Sequence, residues 1–347
     1  MAGVTILGTG AWGTTLARLL ADERLRWADG DTSAAETVLL WEHHPERAAV
    51  MEGERVNQEY LPEMRFPPNL HVTDDLAEAV RERELLLIVT PSQRLREQAK
   101  LAAPHLAPGA IVASASKGLE LGTRLRMSQV LEEELPDGVA IVALSGPNLA
   151  MEIARGLPAA AVVASGSSKA AERARKLLTA GMFRVYSSDD LPGVELGGAL
   201  KNIIALGVGI SDGLGYGENA KAAFMTRALA EISRLAMAAG ANPLTLAGLA
   251  GLGDLIATCS SPLSRNRTLG LELAKGRPLD EVLAERKTVA EGVTTTRAAL
   301  ELASALRVEL PITEQIARVL FEQRDVEEAV RSLMLRDPKH ELHGLNE

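Results

Sequence analysis

The sequence has one cysteine among its 347 residues, and this scarcity excludes several classes of protein. A single thiol, Cys259, forms no intramolecular disulfide and no zinc or redox site built on paired cysteines. The six histidines also lack the spacing of metal ligands, so we expect no metal site. Cys259 is therefore expected to be a small buried hydrophobe rather than a nucleophile.

An excess of positive charge is also missing. The 37 Lys and Arg residues stand against 46 Asp and Glu residues, which gives a net charge of −9. A net acidic chain is a poor general binder of nucleic acid, and an anionic ligand would need a local group of basic side chains. We therefore expect no nucleic-acid partner.

Signals for secretion or membrane insertion are missing as well. The N-terminus has no basic start before its apolar residues. The longest uncharged run, Leu235–Gly253, contains Asn242, Pro243 and four glycines, which suits helix ends and a loop better than a membrane span. We expect a cytoplasmic protein without stable membrane association.

Two contrasting patterns divide the chain, whose length suggests about two domains. In the first half, short apolar runs alternate with helical stretches, which is typical of a parallel sheet covered by helices. The predicted strands are Val4–Leu7, Val38–Trp41, Leu85–Val89, Ala110–Ala113, Val139–Leu144, Ala159–Ala164 and Arg184–Ser187. From about residue 190 a 3.6-residue period predicts helices, among them Asn219–Ala239 and Thr294–Ala305. We predict an α/β domain at residues 1–189, a helical domain at 190–336 and a polar tail at 337–347.

A glycine-rich segment, Gly8-Thr9-Gly10-Ala11-Trp12-Gly13, follows the first predicted strand and opens the helical stretch Thr14–Leu25. The spacing assigns Gly8 to a tight turn, Gly10 to the close approach of a pyrophosphate, and Gly13 to helix–strand packing. The pyrophosphate would lie at the free N–H groups of the helix. The segment therefore predicts a dinucleotide-binding site.

The acidic residue that commonly binds the adenosine ribose comes late in this chain. The stretch Trp27–Glu36 is predicted to be an inserted loop, and the second strand is followed by Glu42, His43 and His44. We expect these three residues to face the ribose. Glu42 would favour a free 2′-hydroxyl and the two imidazoles would favour a 2′-phosphate, so we expect both NAD and NADP to be used.

Five further segments carry polar groups at predicted strand ends or in apolar surroundings: Ser116–Gly118, Ser145–Asn148, Glu195–Asn202, Gly251–Asp254 and Ser264–Arg267. An unpaired Asp254 carboxylate in an apolar setting would be costly. Arg265, where a helix could begin, suits a phosphate. Taken alone, Lys201 would be interpreted as a solvated helix residue, but Gly197, Gly198 and Ile203–Leu206 around it favour burial. On local sequence, Asp254 could equally be a helix cap, and Ser264–Arg267 an exposed basic patch.

In order and spacing, these segments resemble the glycerol-3-phosphate dehydrogenases of the bacterial NAD(P)-dependent type. The matching strings are GTGAWGT at 8–14, ASKGLE at 115–120, SGPNLA at 145–150, GVELGGALKN at 193–202, GLGDLIAT at 251–258, SRNR at 264–267 and VAEGVTT at 289–295. The resemblance covers nearly the whole chain. It implies a Rossmann-like parallel-sheet domain followed by an all-helical domain, with the active site in the cleft between them.

The resemblance also implies roles for individual residues. Lys201 would be the catalytic proton acceptor, with Lys117 and Asp254 beside it. The substrate-binding residues would be Lys117, Gly146, Asn148, Lys201, Asn202, Asp254, Ser264, Arg265 and Asn266. The glycine-rich segment, the residues after the second strand and the resemblance together predict the dinucleotide-binding residues, which are Gly8, Gly10, Ala11, Trp12, Gly13, Glu42, His43, His44, Lys117, Ala150, Arg265, Val289 and Glu291.

The implied reaction is a reversible hydride transfer between NAD(P)H and dihydroxyacetone phosphate that gives sn-glycerol 3-phosphate, the backbone of glycerophospholipids. A lysine serves as proton donor and acceptor when its pKa lies near the working pH. Burial and repulsion from Lys117 would lower the pKa of Lys201, and Asp254 would oppose that shift. Arg265 would bind the phosphate of this small-molecule substrate bidentately. A homodimer is expected.

Two alternatives remain at the level of the sequence. One is another β-hydroxyacid or phosphosugar dehydrogenase of the 6-phosphogluconate-dehydrogenase-like type, which would also place a lysine–asparagine pair on the first helix of its second domain. The other is a non-catalytic sensor that binds NAD(P)H, which would need the glycine fingerprint but not the combination of Lys117, Lys201 and Asp254.

Overall fold

The chain packs into two compact units in a computed structural model that describes residues 3–22, 37–286, 289–338 and 340–341. The first, here called the sheet unit, comprises Met1–Ser116 and Met127–Val194; the second, the helical unit, comprises Lys117–Arg126 and Glu195–Glu347. Along the chain, the main change from one unit to the other falls between Val194 and Glu195, and the predicted limits at 189 and 336 stay predictions. The predicted inserted loop Trp27–Glu36 and most of the predicted tail lie outside the described residues.

Segment 117–126 departs from the predicted division because it belongs to the helical unit. Leu119 is buried in the apolar core of that unit. Arg126 donates to the Glu195 carboxylate at 2.5 Å, so an ion pair holds the other end of the segment. No sequence pattern predicts this assignment, because only two residues separate the segment from the preceding strand of the sheet, Ile111–Ser114.

Ten strands form the sheet unit's framework. They are β1 Val4–Leu7, β2 Val38–Trp41, β3 Val56–Asn57, β4 Leu61–Arg65, β5 Leu70–Thr73, β6 Leu85–Ile88, β7 Ile111–Ser114, β8 Ala140–Ser145, β9 Ala159–Ala164 and β10 Phe183–Ser188. Eight of them form one sheet in the order β10-β9-β8-β7-β6-β1-β2-β5, and β3 pairs with β4 separately. All seven predicted strands are present, and the predicted fold class is confirmed.

Two features of the sheet depart from the prediction. The pairing of β8 with β9 is antiparallel, while the other pairs in the large sheet are parallel. The edge strand β5 was not predicted, because its polar, half-exposed residues give no continuous apolar run. The same holds for β3 and β4, whose pairing contains a register shift.

The register of the sheet brings the motif-bearing segments to one edge. Leu7 at the end of β1 pairs with Trp41 of β2 and with Ile88 of β6. Ile88 in turn pairs with Ser114 at the end of β7. Because strand order reverses at β1, this edge is where ligands bind in open α/β sheets. Gly8 and Glu42 are the residues that directly follow β1 and β2.

Helices surround the sheet and form the second unit. Those of the sheet unit are α1 Ala11–Ala21, α2 Pro45–Glu54, α3 Leu76–Val80, α4 Leu95–Ala102, α5 Met127–Glu134, α6 Ala150–Ala154 and α7 Ser168–Leu178. The others are α8 Leu191–Gly213, α9 Glu218–Ala238, α10 Pro243–Leu246, α11 Asp254–Ser260, α12 Arg265–Ala274, α13 Leu279–Ala284, α14 Glu291–Leu306, α15 Pro311–Phe321 and α16 Val326–Met334. The helices predicted at 219–239 and 294–305 correspond to α9 and α14.

Helix α8 is the buried axis of the helical unit. It is long and apolar enough to span a membrane by composition, but 94% of its most apolar window is buried inside the protein. A second segment that passes the same test, Pro243–Ser260, is 39% buried and is broken into short helical pieces. The apolar character of α8 therefore reflects its central position in the core.

Glycines let α8 and α12 pack backbone to backbone. A Cβ on Gly209 would lie 2.0 Å from the Arg267 carbonyl oxygen, and one on Gly270 would lie 2.1 Å from that of Leu206. Neither position has room for a methyl group, so α12 approaches α8 only because both residues are glycine. This contact fixes the beginning of α12, where the Ser264–Arg267 motif lies.

We expect Gly270→Ala to destabilise the protein by about 1–3 kcal/mol, since the added methyl group forces the two helices apart. Gly53→Ala on α2 is the matched control, because its Cβ would have no neighbour within 4 Å. Alanine there should stabilise the helix by about 0.5–1 kcal/mol. Thermal and urea unfolding of both variants test this, and an unchanged transition for Gly270→Ala would contradict the packing argument.

Candidate active site

The glycine-rich turn after β1 has the geometry that its sequence predicts. Gly8 has φ +119°, and a Cβ there would lie 2.5 Å from the Val89 carbonyl oxygen. A Cβ on Gly13 would lie 2.0 Å from the Gly8 carbonyl oxygen, so helix and strand meet closely. A Cβ on Gly10 would have no neighbour within 4 Å, so the space in front of this residue is open. These three features fit a pyrophosphate at the beginning of α1.

Trp12 lies beside this turn with an unpaired polar atom. Its ring packs edge-on against Phe183, with centroids 6.1 Å apart. Its indole Nε1 is buried and has no hydrogen-bond partner among the described residues. A buried indole N–H normally has an acceptor. The Trp12 Nε1 atom is therefore available to a ligand at the glycine turn. Ala11 and Trp12 are the first two residues of α1, directly after this turn.

Glu42 has a different place from the one expected. It is 1% exposed, and its carboxylate accepts hydrogen bonds from the Thr9 hydroxyl and from the His44 backbone N–H at 3.0 Å. Arg47 Nη2 lies 3.6 Å from the same carboxylate. Glu42 thus ties the glycine turn to the end of β2, because a buried carboxylate is stable only when such donors surround it.

His43 and His44 are exposed and are left as the candidate ribose-binding side chains. Their rings lie 3.8 Å apart, and His43 Nδ1 is 3.0 Å from the Glu42 carboxylate. Candidate ligand atoms of Glu42, His43 and His44 all lie within 4.8 Å of one another, a grouping that the sequence analysis did not consider as a metal site. The absence of a metal stays a prediction.

The segment after β8 buries an asparagine whose amide is unpaired. Gly146 has φ +130°, and a Cβ there would lie 2.9 Å from the Ala161 Cα. Both amide atoms of Asn148 are buried and have no hydrogen-bond partner among the described residues. Burial without partners costs about 1–3 kcal/mol per group, so this amide is poised for a ligand. Ala150, another predicted ligand residue, begins α6 two residues later.

In the helical unit, one buried carboxylate joins two lysines. Lys201 on α8 donates to Asp254 Oδ1 at 2.5 Å, and Lys117 donates to Oδ2 at 2.6 Å. Lys201 also donates to Thr258 Oγ1 at 2.5 Å, and this hydroxyl lies 3.3 Å from Asp254 Oδ1. Sequence analysis missed Thr258, although its position one helical turn after Asp254 was the available signal.

Close backbone contacts bring this cluster together. A Cβ on Gly197 would lie 2.8 Å from the Ala250 carbonyl oxygen, and one on Gly251 would lie 2.0 Å from that of Leu246. Gly251 belongs to a single π-helical turn, Leu249–Gly253, that directly precedes α11. The glycines therefore allow the turn to approach α8 and place Asp254 next to Lys201.

Burial lowers the pKa of Lys201 from 10.5 to about 8. The Asp254 carboxylate opposes this shift, and the charge of Lys117 adds to it. The sequence alone did not decide which of these effects is larger. In the structure, their net effect lowers the pKa of Lys201. Burial also raises the pKa of the Cys259 thiol to about 12, which fits its expected role as a core residue.

The Ser264–Arg267 motif forms the first turn of α12. The Ser264 hydroxyl caps this helix by accepting from the Arg267 N–H at 3.3 Å, and Arg265 is exposed. Asn266 is buried: its amide donates to Asn202 Oδ1 at 2.9 Å and accepts from the Gly292 N–H at 2.9 Å. The Asn266 side chain therefore connects α8, α12 and α14.

The remaining predicted residues lie at the start of α14. Val289 is exposed, and Glu291 is the first residue of that helix. The helical unit thus forms two groups of directly contacting residues: Lys117, Asp254 and Lys201 in one, and Asn202 with Asn266 in the other. The glycine turn and the segment Gly146–Ala150 lie in the sheet unit.

Comparison with known proteins gives a consistent result over both units. Models described as the N-terminus and the C-terminus of NAD-dependent glycerol-3-phosphate dehydrogenase match residues 3–171 and 190–331. A protein of Dehalococcoides mccartyi named glycerol-3-phosphate dehydrogenase (NAD(P)+) is 50% identical over 99% of this chain and 94% of its own length. One from Thermobifida fusca with the same name is 48% identical over 99% and 100%. The crystal structure of glycerol-3-phosphate dehydrogenase from Coxiella burnetii has a TM-score of 0.89, with 38% identity over 96% of this chain and 99% of that one.

The sheet topology, the glycine turn after β1 and the relatives above identify the chain as an NAD(P)-dependent dehydrogenase. Matches to both halves of the chain then make the assignment specific. The chain belongs to the NAD-dependent glycerol-3-phosphate dehydrogenase family. The predicted family, enzyme activity and cofactor class are thereby confirmed.

We expect Glu42→Ala to weaken NADH and NADPH binding by a similar factor. The substitution leaves the Thr9 hydroxyl and the His44 N–H without their acceptor, at about 1–3 kcal/mol per buried group, and loosens the turn that both cofactors share. Glu59→Ala is the control, because Glu59 contacts the same Arg47 at 3.0 Å but is 42% exposed. Fluorescence titration measures both dissociation constants. Tighter NADPH binding with weaker NADH binding would show instead that Glu42 contacts the ribose.

Proposed function

We propose that Lys201 is the proton donor and acceptor in the reversible conversion of dihydroxyacetone phosphate to sn-glycerol 3-phosphate. The observation that carries this proposal is the buried contact of Lys201 with Asp254, together with a pKa of about 8. A group with such a pKa is present in both protonation states near neutral pH, as acid–base catalysis in both directions requires. The bound NAD(P)H supplies the hydride, and the chain's own residues supply the proton and the orientation.

During reduction, Lys201 Nζ donates its proton to the oxygen on C2 as negative charge develops there. Asp254 fixes the direction of the ammonium group, and Thr258 accepts a second of its hydrogen bonds. Lys117 shares the Asp254 carboxylate at 2.6 Å and adds positive charge near the developing oxyanion. In oxidation, neutral Lys201 accepts the proton from the C2 hydroxyl.

The substrate's phosphate would be held at the first turn of α12. Arg265 offers an exposed guanidinium for two parallel hydrogen bonds, and the free N–H groups of the helix start add further donors. Such a fixed anion orients C2 for the reaction. Asn202, Ser264 and Asn266 complete this proposed phosphate site. Gly146 and Asn148 are proposed as further substrate-binding residues.

The dinucleotide is proposed to bind along the glycine turn. The open space in front of Gly10 and the unpaired Trp12 Nε1 support this placement. The residues proposed to contact it, with Lys117 and Arg265 near both ligands, are Gly8, Gly10, Ala11, Trp12, Gly13, His43, His44, Ala150, Val289 and Glu291. Glu42 is proposed to act through Thr9 and His44.

We also propose that the enzyme acts in the cytoplasm as a homodimer, without nucleic acid or stable membrane association. The net charge of −9 and the burial of the apolar helix α8 support this environment. Domain limits near 189 and 336 remain the proposal of the sequence. Analytical ultracentrifugation tests the dimer.

The pH dependence should follow Lys201. Because only its protonated form donates, kcat for reduction should fall as pH rises through about 8, and kcat for oxidation should rise through the same value. Asp254→Asn removes the carboxylate that raises this pKa, so the rise of kcat for oxidation should move to lower pH.

Lys201→Met should lower turnover by ~10²–10⁴, because the proton donor and acceptor is lost. Rate–pH profiles in both directions test these expectations, with the exposed Lys275→Met as control; near-normal turnover of Lys201→Met would refute the role.

Substitutions at Arg265 and at Asn266 should have different effects on phosphorylated and unphosphorylated substrates. Arg265→Ala removes a charged donor worth about 1.5–3 kcal/mol, and the loss in kcat/KM should appear with dihydroxyacetone phosphate but not with dihydroxyacetone. Asn266→Ala leaves Asn202 and the Gly292 N–H unpaired, so, unlike Arg265→Ala, it should also lower kcat/KM for dihydroxyacetone and lower the melting temperature. Equal losses on both substrates for Arg265→Ala would count against the phosphate site.

A further inference from the structure

The helical unit contains a large cavity that the proposed chemistry does not use. Its volume is about 1180 Å³, and its wall is formed mainly by α9, α15 and α16. Small-molecule sites commonly occupy roughly 300–1,000 Å³, so the cavity is large enough for an extended ligand. Neither Lys201 nor Arg265 lines it.

The wall of the cavity is largely apolar. The side chains that would contact a hydrocarbon chain are Phe224 and Met237 on α9, Ile312 and Ile316 on α15, and Leu333 on α16. Each is only partly buried or lies at the edge of the core, except for Ile316, which is 5% exposed. An apolar chain in this cavity would therefore remove hydrocarbon surface from water on both sides.

Four arginines also line the cavity: Arg227, Arg234, Arg307 and Arg336. The decisive one is Arg234, which is half-buried and makes no hydrogen bond or ion pair with any residue that the structure describes. Burial is the main cause that lowers the pKa of Arg234; the Glu231 and Glu309 carboxylates oppose this shift, and the charge of Arg227 adds to it. A guanidinium desolvated without a partner is costly, so an anion beside it would be stabilising.

The wall also contains four acidic residues, Glu231, Glu309, Asp337 and Glu341, and the first two contact other groups of the wall. Glu231 accepts hydrogen bonds from the Ile312 N–H at 2.8 Å, and from the Thr313 N–H and hydroxyl at 2.9 and 2.8 Å. Glu309 lies 3.9 Å from Arg336. Arg227 donates at 2.8 Å to the backbone carbonyl of Glu341. Because this carbonyl is uncharged, the contact does not neutralise the positive charge of Arg227.

We propose that this cavity binds an amphipathic anion, a single acyl chain that ends in a carboxylate, with the chain along the apolar wall and the head group at Arg234. An apolar wall alone would accept many ligands, and exposed arginines alone would accept many anions. The combination of an apolar enclosure with a partly desolvated, unpaired guanidinium selects a ligand that carries both features.

The test is isothermal titration of the full-length protein with laurate below its micellar concentration. We expect saturable binding of one molecule per chain. Affinity should rise about threefold to fourfold for each methylene from octanoate to laurate, because each buried methylene contributes a constant increment. Lauryl phosphate in a parallel titration distinguishes a preference for carboxylate from a general preference for anions; tighter binding of the phosphate by more than tenfold would overturn the carboxylate assignment.

Arg234→Gln should weaken laurate binding at least tenfold, while Arg318→Gln, an exposed arginine on α15 that does not line the cavity, should leave it unchanged. Turnover of dihydroxyacetone phosphate should stay normal in both variants, which shows that they fold. Val330→Phe narrows the cavity from α16 and should weaken laurate more than octanoate. Many weak sites per chain, an equal effect of both arginine substitutions, or binding seen only on dilution to a monomer would each overturn the proposal.

Discussion

A carboxylate shared by two ammonium groups inside the helical unit is the interaction on which the rest of the site depends. Removing a charged group from water costs several kcal/mol, and the attraction between opposite charges recovers this only with close geometry. Lys201 and Asp254 meet at 2.5 Å, and Lys117 meets the second oxygen at 2.6 Å. Two positive charges on one negative charge leave the cluster cationic. Burial lowers the pKa of Lys201 although its nearest partner is an anion, and the charge of Lys117 adds to this shift.

Close backbone packing is what places these charges. Gly197 and Gly251 admit the π-helical turn to α8, and Gly292 admits α14, since a Cβ at Gly292 would lie 2.8 Å from both the Asn202 carbonyl oxygen and Asn266 Oδ1. Asn266 then links Asn202 to the start of α14. Lys201 and Asn202 are thus neighbours on α8, and Asn202 accepts a hydrogen bond from Asn266 at the start of α12, where the phosphate site is proposed. A side chain at any of these glycines would move reacting groups by more than catalysis tolerates.

The features that the sequence predicted correctly are those that depend on residues close together in the chain. Apolar β-branched runs predicted the central strands, and the glycine spacing predicted the turn geometry at Gly8, Gly10 and Gly13. The strand β5 was not predicted because two of its four residues, His71 and Thr73, are polar. The burial of Glu42, the contact of Thr258 with Lys201 and the transfer of segment 117–126 to the helical unit depend on residues far apart in sequence. Periodicity and composition contain no information on such contacts, so family resemblance or coordinates had to supply it.

Two of the proposed ligand-binding segments contain buried polar groups without partners in the part of the chain that the structure describes. The Asn148 amide and the Trp12 N–H lie buried without partners among the described residues, in segments that family resemblance assigns to substrate and dinucleotide. Each such group lowers the stability of the free protein by about 1–3 kcal/mol. A ligand that pairs with them returns this energy on binding, and at a hundredfold excess over its dissociation constant it stabilises the folded state by about 2.7 kcal/mol. Stability and ligand recognition are therefore coupled through the same few atoms, which explains why the fold tolerates polar groups that a core built for stability alone would satisfy internally.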